Sequence, residues 1–242
     1  MMKCVERILA GIFSVSLLLV LIISAVEVAV YADYGYFRKE FEKYDVNNPN
    51  GIVNMEMDEL IYVTEEMMEY LRGDRENLDI IAEIDGEDKG FFDEREKSHM
   101  ADVRDIFVGA LKVRWCAVGM AALALSNLFL LLCWKDIKVL LFRAYLAAIG
   151  GLAVALGALG IWAYVDFTEA FYKFHALFFS DYEWILDTRT SRLINILPEG
   201  FFVDTAIRIV VIFIVFILIM GGVLLLLKKL NLTKQNLGGT YE

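Results

Sequence analysis

Two histidines, the only ones among 242 residues, are the side chains best suited to proton transfer near neutral pH, because the unperturbed pKa of imidazole is about 6.5. His99 lies in "FFDEREKSHMADVRDIF", residues 91–107, and His175 lies in "FHALFFSDYEW", residues 174–184. On a helix, Asp102 would share a face with His99, so its carboxylate could orient the imidazole. The pattern indicates acid–base chemistry, a pH-responsive site, or two bystander histidines.

Aromatic residues surround the second histidine. Ten fall between residues 162 and 184, and half of them are Phe. A bilayer boundary favours Trp and Tyr, whose polar tips reach water, so an ordinary aromatic belt explains only part of this run. At helical spacing, Phe171, Phe174 and Phe178 would enclose His175 in an apolar wall.

The composition is that of a membrane protein, with 58% hydrophobic residues and a mean hydropathy of +0.54. A membrane helix needs roughly 20 apolar residues, and four segments are that long: about 8–32, 106–134, 137–163 and 205–227. The first exceeds the roughly 7 to 15 apolar residues of a cleavable signal peptide, which predicts a retained anchor. The spacing of the three cysteines indicates neither a disulfide framework nor a metal site.

Basic residues flank these segments on one side, which the positive-inside rule makes cytoplasmic. Both termini are therefore predicted to be cytoplasmic, with residues 33–105 and 164–204 outside and both histidines at the outer boundary. Residues 33–105 carry 22 Asp and Glu against 9 Lys and Arg. A nucleic-acid partner is not expected for such an acidic surface, which is typical of a solvated face.

The long external segment has the pattern of a small folded cap. Residues 34–46 mix aromatic and charged residues as a strand would, residues 47–51 form a turn cluster, and residues 78–84 are a second short apolar pattern. Between them, apolar residues from Met57 to Leu71 recur at helical spacing, with Gly73 as a C-terminal cap. The predicted fold is an all-α membrane protein of four transmembrane helices with a small α/β extracytoplasmic cap.

This fold divides the chain into five predicted regions. Residues 1–32 are the cytoplasmic N-terminus and first membrane helix, and residues 33–98 are the extracytoplasmic cap. Residues 99–163 hold the second and third membrane helices. Residues 164–204 form the aromatic-rich external loop, and residues 205–242 hold the fourth membrane helix and the cytoplasmic tail.

Two stretches, "FDEREKSHMADVRDIF" and "FHALFFSDYEWILDTRTSRLINILPEGFFVDTA", resemble the signature stretches of a bacterial family of four-helix membrane proteins that includes the lipoprotein intramolecular transacylase. The helix "DELIYVTEEMMEYLRG", residues 58–73, resembles the cap helix of that family, and the likeness covers most of residues 30–210. His175, Trp184 and Asp187 match the family pattern. The chain departs from it at residues 180–183, where the family often has a Pro-Gly turn and an Asn, and at Thr188, where Pro is common.

The resemblance implies an acyltransferase of the bacterial cell membrane that needs no cofactor and acts at the outer leaflet. Its partners would be membrane lipid and lipoproteins whose N-terminal cysteine carries a diacylglyceryl thioether. The sn-2 acyl chain would move to the α-amine of that cysteine, giving the lyso form. The atoms from amine to ester carbonyl close a ring of about eight members, which is unfavourable unless the site holds the substrate folded.

Under this interpretation His99 and His175 are the catalytic acid and base, in an order that the sequence leaves open. Asp102 and Asp187 would orient them. Glu94 and Arg95 would support the site, with Arg95 and Lys112 the cations nearest in sequence for an oxyanion. The substrate pocket would be lined by Phe171, Phe174, Phe178, Phe179 and Trp184.

Two other classes of function remain open from the sequence. A non-enzymatic membrane scaffold or sensor would bind a partner through its acidic cap and use the histidines as a pH switch or not at all. A metal-dependent membrane hydrolase would use both histidines as ligands, although the sequence lacks an HExxH or comparable spacing.

Overall fold

The computed structural model of the chain describes residues 2–33, 35–48, 50–179 and 184–238, with side chains from residue 3 to residue 229. In chain order the described elements are α1 (Met2–Tyr31), α2 (Gly35–Lys43), α3 (Met57–Arg72), β1 (Ile81–Ile84), β2 (Glu87–Gly90), α4 (Glu94–Leu131), α5 (Trp134–Val165), α6 (Phe167–Phe178), α7 (Arg192–Ile196) and α8 (Glu199–Gly238).

Four helices are long and apolar enough to cross a membrane, as the sequence predicts: Lys3–Tyr31, Glu94–Leu131, Trp134–Val165 and Glu199–Lys229. The second and fourth of these helices begin earlier than hydropathy alone indicates, because polar first turns continue each helix beyond its apolar stretch. One consequence is that α4 runs without a break through residues 98 and 99, where the sequence placed the boundary between cap and membrane helix.

The chain forms two compact units. The first, here called the helical unit, comprises residues 1–26, 112–161 and 209–242. One of its clusters centres on Tyr145, which is fully buried among Leu18, Phe213 and Leu224 and donates its hydroxyl hydrogen to the Ile217 carbonyl at 2.9 Å. Fully buried alanines such as Ala10 let neighbouring helices approach closely, which is how membrane helices gain packing energy.

The second, here called the histidine unit, comprises residues 27–111 and 162–208. Its core is formed by large apolar side chains from helices and hairpin alike, including Leu60, Met67, Ile80, Ile84, Phe91 and Ile196. Strands β1 and β2 pair antiparallel, from Ile81 opposite Gly90 to Ile84 opposite Glu87. Asp85 and Gly86 form the turn with positive φ angles of 56° and 75°, as a two-residue hairpin requires.

The predicted strand within residues 34–46 is wrong, because residues from Gly35 to Lys43 form helix α2. Its buried side chains are Tyr36, Phe37, Glu40 and Phe41, a spacing of one face of a helix, which aromatic content obscured. Phe37 stacks on Phe201 of α8 with ring centroids 5.8 Å apart. Tyr34 itself lies outside the described residues.

Other local predictions for this unit are confirmed. Helix α3 ends where expected, at Gly73, whose φ of 93° places it in the left-handed region and whose N–H bonds to the carbonyls of Glu69 and Tyr70. In the turn cluster, the Gly51 N–H donates to the Asn48 carbonyl at 2.8 Å, while Pro49 lies outside the described residues. Strand β2 was not predicted from the sequence, because it is short and polar.

Candidate active site

His99 lies one turn after the start of α4, and the local sequence fixes that start. The Asp93 carboxylate accepts a hydrogen bond from the Glu96 N–H at 2.8 Å, and the Glu96 carboxylate accepts one from the Asp93 N–H at 2.9 Å. This reciprocal pair is a capping box, which satisfies backbone donors that a helix start otherwise leaves unpaired. His99 follows on the buried side of the helix, with 8% of its surface exposed.

His175 lies in the last turn of α6, which begins where the Asp166 side chain accepts a hydrogen bond from the Glu169 N–H at 2.8 Å. The Nδ1 atom of His175 is 2.8 Å from the Phe171 carbonyl oxygen. Since a carbonyl oxygen only accepts, we assign the hydrogen to Nδ1. In the neutral ring Nε2 then carries the lone pair, so it is the nitrogen that can take a proton.

The two imidazoles lie beside each other, with ring centroids 6.0 Å apart and ring planes 37° apart. Phe179 contacts both: its ring centroid is 5.0 Å from that of His99 and 5.4 Å from that of His175. Phe179 is itself buried. Two imidazoles from distant parts of the sequence therefore share one apolar wall.

The predicted pocket residues divide into an inner and an outer group. Phe171, Phe179 and Trp184 contact His175 at centroid distances of 4.0, 5.4 and 5.1 Å. The ring centroid of Phe174 lies 5.6 Å from that of His175 and 4.7 Å from that of Phe178. Phe174 and Phe178 are both half exposed. The divergent loop at residues 180–183 lies outside the described residues.

Burial in this wall lowers the pKa of His175 below its ordinary 6.5, because desolvation penalises the imidazolium; the hydrogen bond to Phe171 opposes this in part. The direction favours a neutral ring at pH 7. A neutral imidazole whose Nε2 carries the lone pair is the form that acts as a base.

The predicted orienting and supporting residues have different surroundings. Asp102 is partly buried on α4, three residues after His99 and on the same helix face. Asp187 accepts hydrogen bonds from the Arg189 side chain, the nearest at 2.8 Å, which lowers the Asp187 pKa to about 2. Glu94 is exposed and pairs with Lys97 at 3.0 Å, and Arg95 is exposed.

Three residues that sequence reasoning missed connect the start of α4 to the segment after α6. The Glu96 carboxylate accepts hydrogen bonds from the Ser191 hydroxyl at 2.5 Å and from the Leu193 N–H at 2.8 Å. The capping-box spacing of Asp93 and Glu96 was the available signal for the helix start. The long-range partners leave no local signal. Within the described part of the chain, no group of three or more His, Cys, Asp or Glu side chains is arranged to hold a metal ion.

Known proteins resemble this chain in sequence and in fold. The family model described as "Lipoprotein intramolecular transacylase Lit" matches residues 11–202. A search of curated proteins gives no significant match. A solved structure of the membrane integral lipoprotein intramolecular transacylase Lit from Bacillus cereus has a TM-score of 0.70 at 19% identity, over 96% of this chain and 98% of that chain.

A second structure of the Bacillus cereus protein, with one histidine replaced by arginine, has a TM-score of 0.71 at 18% identity and covers 95% of this chain and 94% of that chain. At such identities the likeness establishes the fold alone, while the family model covers well over half of the sequence. The chain therefore belongs to the lipoprotein intramolecular transacylase family of membrane acyltransferases.

Proposed function

We propose that the protein moves the sn-2 acyl chain of a diacylglyceryl lipoprotein onto the α-amine of the same molecule's N-terminal cysteine. The observation that carries the proposal is the His99–His175 pair, whose ring centroids lie 6.0 Å apart in a wall of aromatic side chains. Membership of the family supplies the substrate class. An amide is more stable than an ester, so the transfer needs no energy source.

His175 is the general base in this proposal. Its Nδ1–H bonds to the Phe171 carbonyl, which leaves Nε2 as the acceptor, and its lowered pKa keeps the ring neutral at pH 7. The α-amine of a peptide has a pKa of about 7.7 to 8.0, so it must lose a proton before or during its attack. Nε2 of His175 takes that proton as the new C–N bond forms.

His99 is the general acid. When the C–O bond of the sn-2 ester breaks, the glycerol oxygen must gain a proton, which His99 donates. The attacking nitrogen and the leaving oxygen are bonded to one carbon in the tetrahedral intermediate. One imidazole must therefore come within a hydrogen-bond length, about 3 Å, of the nitrogen, and the other within the same distance of the oxygen. Two rings whose centroids are 6.0 Å apart suit this. A proton returning from His175 to His99 completes the cycle.

The aromatic side chains have a separate task, which is to fold the substrate. Attack closes a ring of about eight members, so the entropy of bringing amine and ester together must be supplied by the site. Phe171, Phe179 and Trp184 contact His175 and exclude water there. Phe174 and Phe178 are half exposed and are placed to meet acyl chains.

We also infer that the site faces the outer leaflet, with both termini cytoplasmic. The support is the one-sided distribution of Lys and Arg beside the four membrane helices. Lipoproteins that carry a diacylglyceryl group are anchored by their acyl chains. A site at the leaflet boundary would therefore receive amine and ester from the substrate without removing it from the membrane.

Tandem mass spectrometry of a reconstituted reaction tests the proposal. The diacylglyceryl and lyso forms are isomers, so the intact mass stays constant and fragmentation must locate the second acyl chain on nitrogen. The purified protein in lipid nanodiscs should produce N-acyl fragments from a synthetic diacylglyceryl lipopeptide. The variants His99→Gln and His175→Gln should produce none above background, whereas Glu87→Gln, on the exposed side of β2, should match wild type. Full activity in both histidine variants would contradict the proposal.

A further inference from the structure

Glu96 is a buried carboxylate to which the acid–base scheme gives no part. It is 1% exposed, yet both of its oxygens are hydrogen-bonded. One accepts from the Ser191 hydroxyl and the Leu193 N–H, and the other accepts from the Asp93 N–H. Burying a polar side chain is costly unless its hydrogen bonds are supplied, so this arrangement is specific rather than incidental.

Arg192, between Ser191 and Leu193 in sequence, adds to the same connection. Arg192 donates from Nη1 to the carbonyls of Gly90 and Phe91, at 3.1 and 2.8 Å, and its guanidinium lies 5.9 Å from the centroid of the Phe91 ring. Residues 191–193 thus bond to the first turn of α4, through Glu96, and to the segment that precedes this helix. We refer to residues 191–193 as the latch.

The latch is tied in turn to the ring that contacts His175. The Ser191 N–H donates to the Asp187 carbonyl at 2.8 Å, and the Leu186 N–H donates to the Trp184 carbonyl at 3.1 Å. The Trp184 ring lies 5.1 Å from that of His175. Contacts therefore run in a closed circuit: along α4 from Glu96 to His99, across the ring pair, on to Trp184, and back through the latch to Glu96.

We propose that Glu96 is a positioning residue that sets the placement of His99 relative to His175 by holding the latch. Its effect on turnover rests on the proposed acyl transfer, while its effect on the latch does not. Without the carboxylate, the Ser191 hydroxyl and the Leu193 N–H lose their acceptor, and the segment carrying Trp184 is no longer fixed to the helix carrying His99.

Two variants and a matched control separate this role from general stability. Glu96→Leu removes both acceptor atoms at similar volume. Glu96→Gln keeps one carbonyl oxygen for Ser191 and Leu193. Lys97→Leu is the control, because Lys97 is the next residue on α4 but pairs with Asp79 and Glu94 instead. All three are purified in nanodiscs and compared by hydrogen–deuterium exchange and by steady-state acyl transfer.

For Glu96→Leu we expect faster exchange in peptides covering residues 184–196 and a kcat reduced about 100-fold with KM changed little, since a misplacement of about 1 Å can cost that much. Glu96→Gln should recover most of the kcat, and Lys97→Leu should match wild type in both measurements. Unchanged exchange at residues 184–196 in Glu96→Leu would overturn the inference, as would an equal loss of kcat in Lys97→Leu or an unreduced kcat in Glu96→Leu. Faster exchange in Glu96→Leu, together with a wild-type protein that makes no lyso product, would refute the acyl transfer and leave the latch supported.

Discussion

The two imidazoles have the same chemistry but lie on different helices with different neighbours, and the proposed reaction gives them opposite roles. His175 has its Nδ1 occupied by the Phe171 carbonyl and its imidazolium disfavoured by burial. His99 lies on another helix, behind the buried ring of Phe179. A pair of titratable groups held in different environments is the usual arrangement for an acid and a base in one reaction.

The pH dependence of kcat/KM tests the role of His175. Because its pKa is lowered from 6.5, the ring is neutral at any pH well above that lowered value. As a base it should give an acidic limb whose midpoint lies below 6.5, with the rate rising as pH rises through it. A rate that falls with rising pH through this region would instead make His175 the acid. Stopped assays between about pH 4.5 and 8.5, with substrate far below KM, are the measurement, spanning about two units either side of 6.5.

Truncation of the aromatic wall should distinguish its inner and outer groups. Trp184→Ala removes a ring that contacts His175, whereas Phe178→Ala removes a half-exposed ring whose described partner is Phe174. Aromatic contacts contribute about 0.5–1.5 kcal/mol beyond the burial of apolar surface area. The kcat of Trp184→Ala should therefore fall by about tenfold more than that of Phe178→Ala. Equal losses in the two variants would contradict the division. The melting temperature of each variant serves as the control for folding.

The short helix α2 packs on the first turns of α8. The Tyr36 hydroxyl and Thr205 Oγ1 are 2.9 Å apart, and the Tyr44 hydroxyl donates to Asp204 at 2.5 Å. Phe201 lies against the rings of Phe37 and Phe41. Since Phe202, the next residue, contacts Phe171 at 5.2 Å, this packing also supports the helix that carries His175.

Gly200 provides the space that this packing needs. A Cβ atom at this position would overlap the outer end of the Tyr44 ring and its hydroxyl. Gly200→Ala should therefore cost about 1–3 kcal/mol through overpacking, measured as a lower melting temperature. Gly222→Ala, on the same helix, is the matched control and should be neutral or nearly so, because a Cβ atom there would meet no neighbouring atom of the described residues within 4 Å. Combining Gly200→Ala with Tyr44→Ala should recover part of the loss.

Glu40 makes the stability of the same packing depend on pH. Burial raises the pKa of its carboxyl above 4.5, with a hydrogen bond to Asp204 adding to the effect. A carboxyl whose pKa is raised on folding contributes stability at low pH and loses it as pH rises through the folded value. Glu40→Gln should therefore raise the melting temperature at pH 7 and flatten its pH dependence. Glu42→Gln, exposed on the same helix, should do neither; a lower melting temperature in Glu40→Gln at pH 7 would contradict this.

Across the whole molecule, the hydrophobic pattern predicts the four membrane helices, because apolar length alone identifies them. Helix α3 and its Gly73 cap follow from local rules as well. The prediction of a strand within residues 34–46 was wrong, because the four buried residues of α2 include a glutamate among aromatic residues and their helical spacing was not recognised. The partners of Glu96 could not be predicted, since a hydrogen bond between residues 95 positions apart leaves no periodicity in the sequence.

The orientation of the protein in the membrane is also a prediction, with both termini cytoplasmic. In a variant whose only cysteine is Cys4, a membrane-impermeant maleimide should label the protein only after the membrane is permeabilised. A variant with Cys4, Cys116 and Cys133 replaced and Glu87→Cys added should be labelled in intact cells, because Glu87 is exposed on β2. The reverse labelling pattern would place the histidines on the cytoplasmic side and refute the outer-leaflet site.

In the proposed reaction an acyl chain moves within one lipoprotein molecule, with two histidines as acid and base. Two lipopeptides that differ in peptide sequence, one with deuterated and one with ordinary acyl chains, are mixed with the protein in nanodiscs and analysed by tandem mass spectrometry. We expect N-acyl products in which each peptide keeps its own isotopic chain, and no product with the His99→Gln, His175→Gln double variant. Scrambled chains, or N-acylation that survives in the double variant, would contradict it.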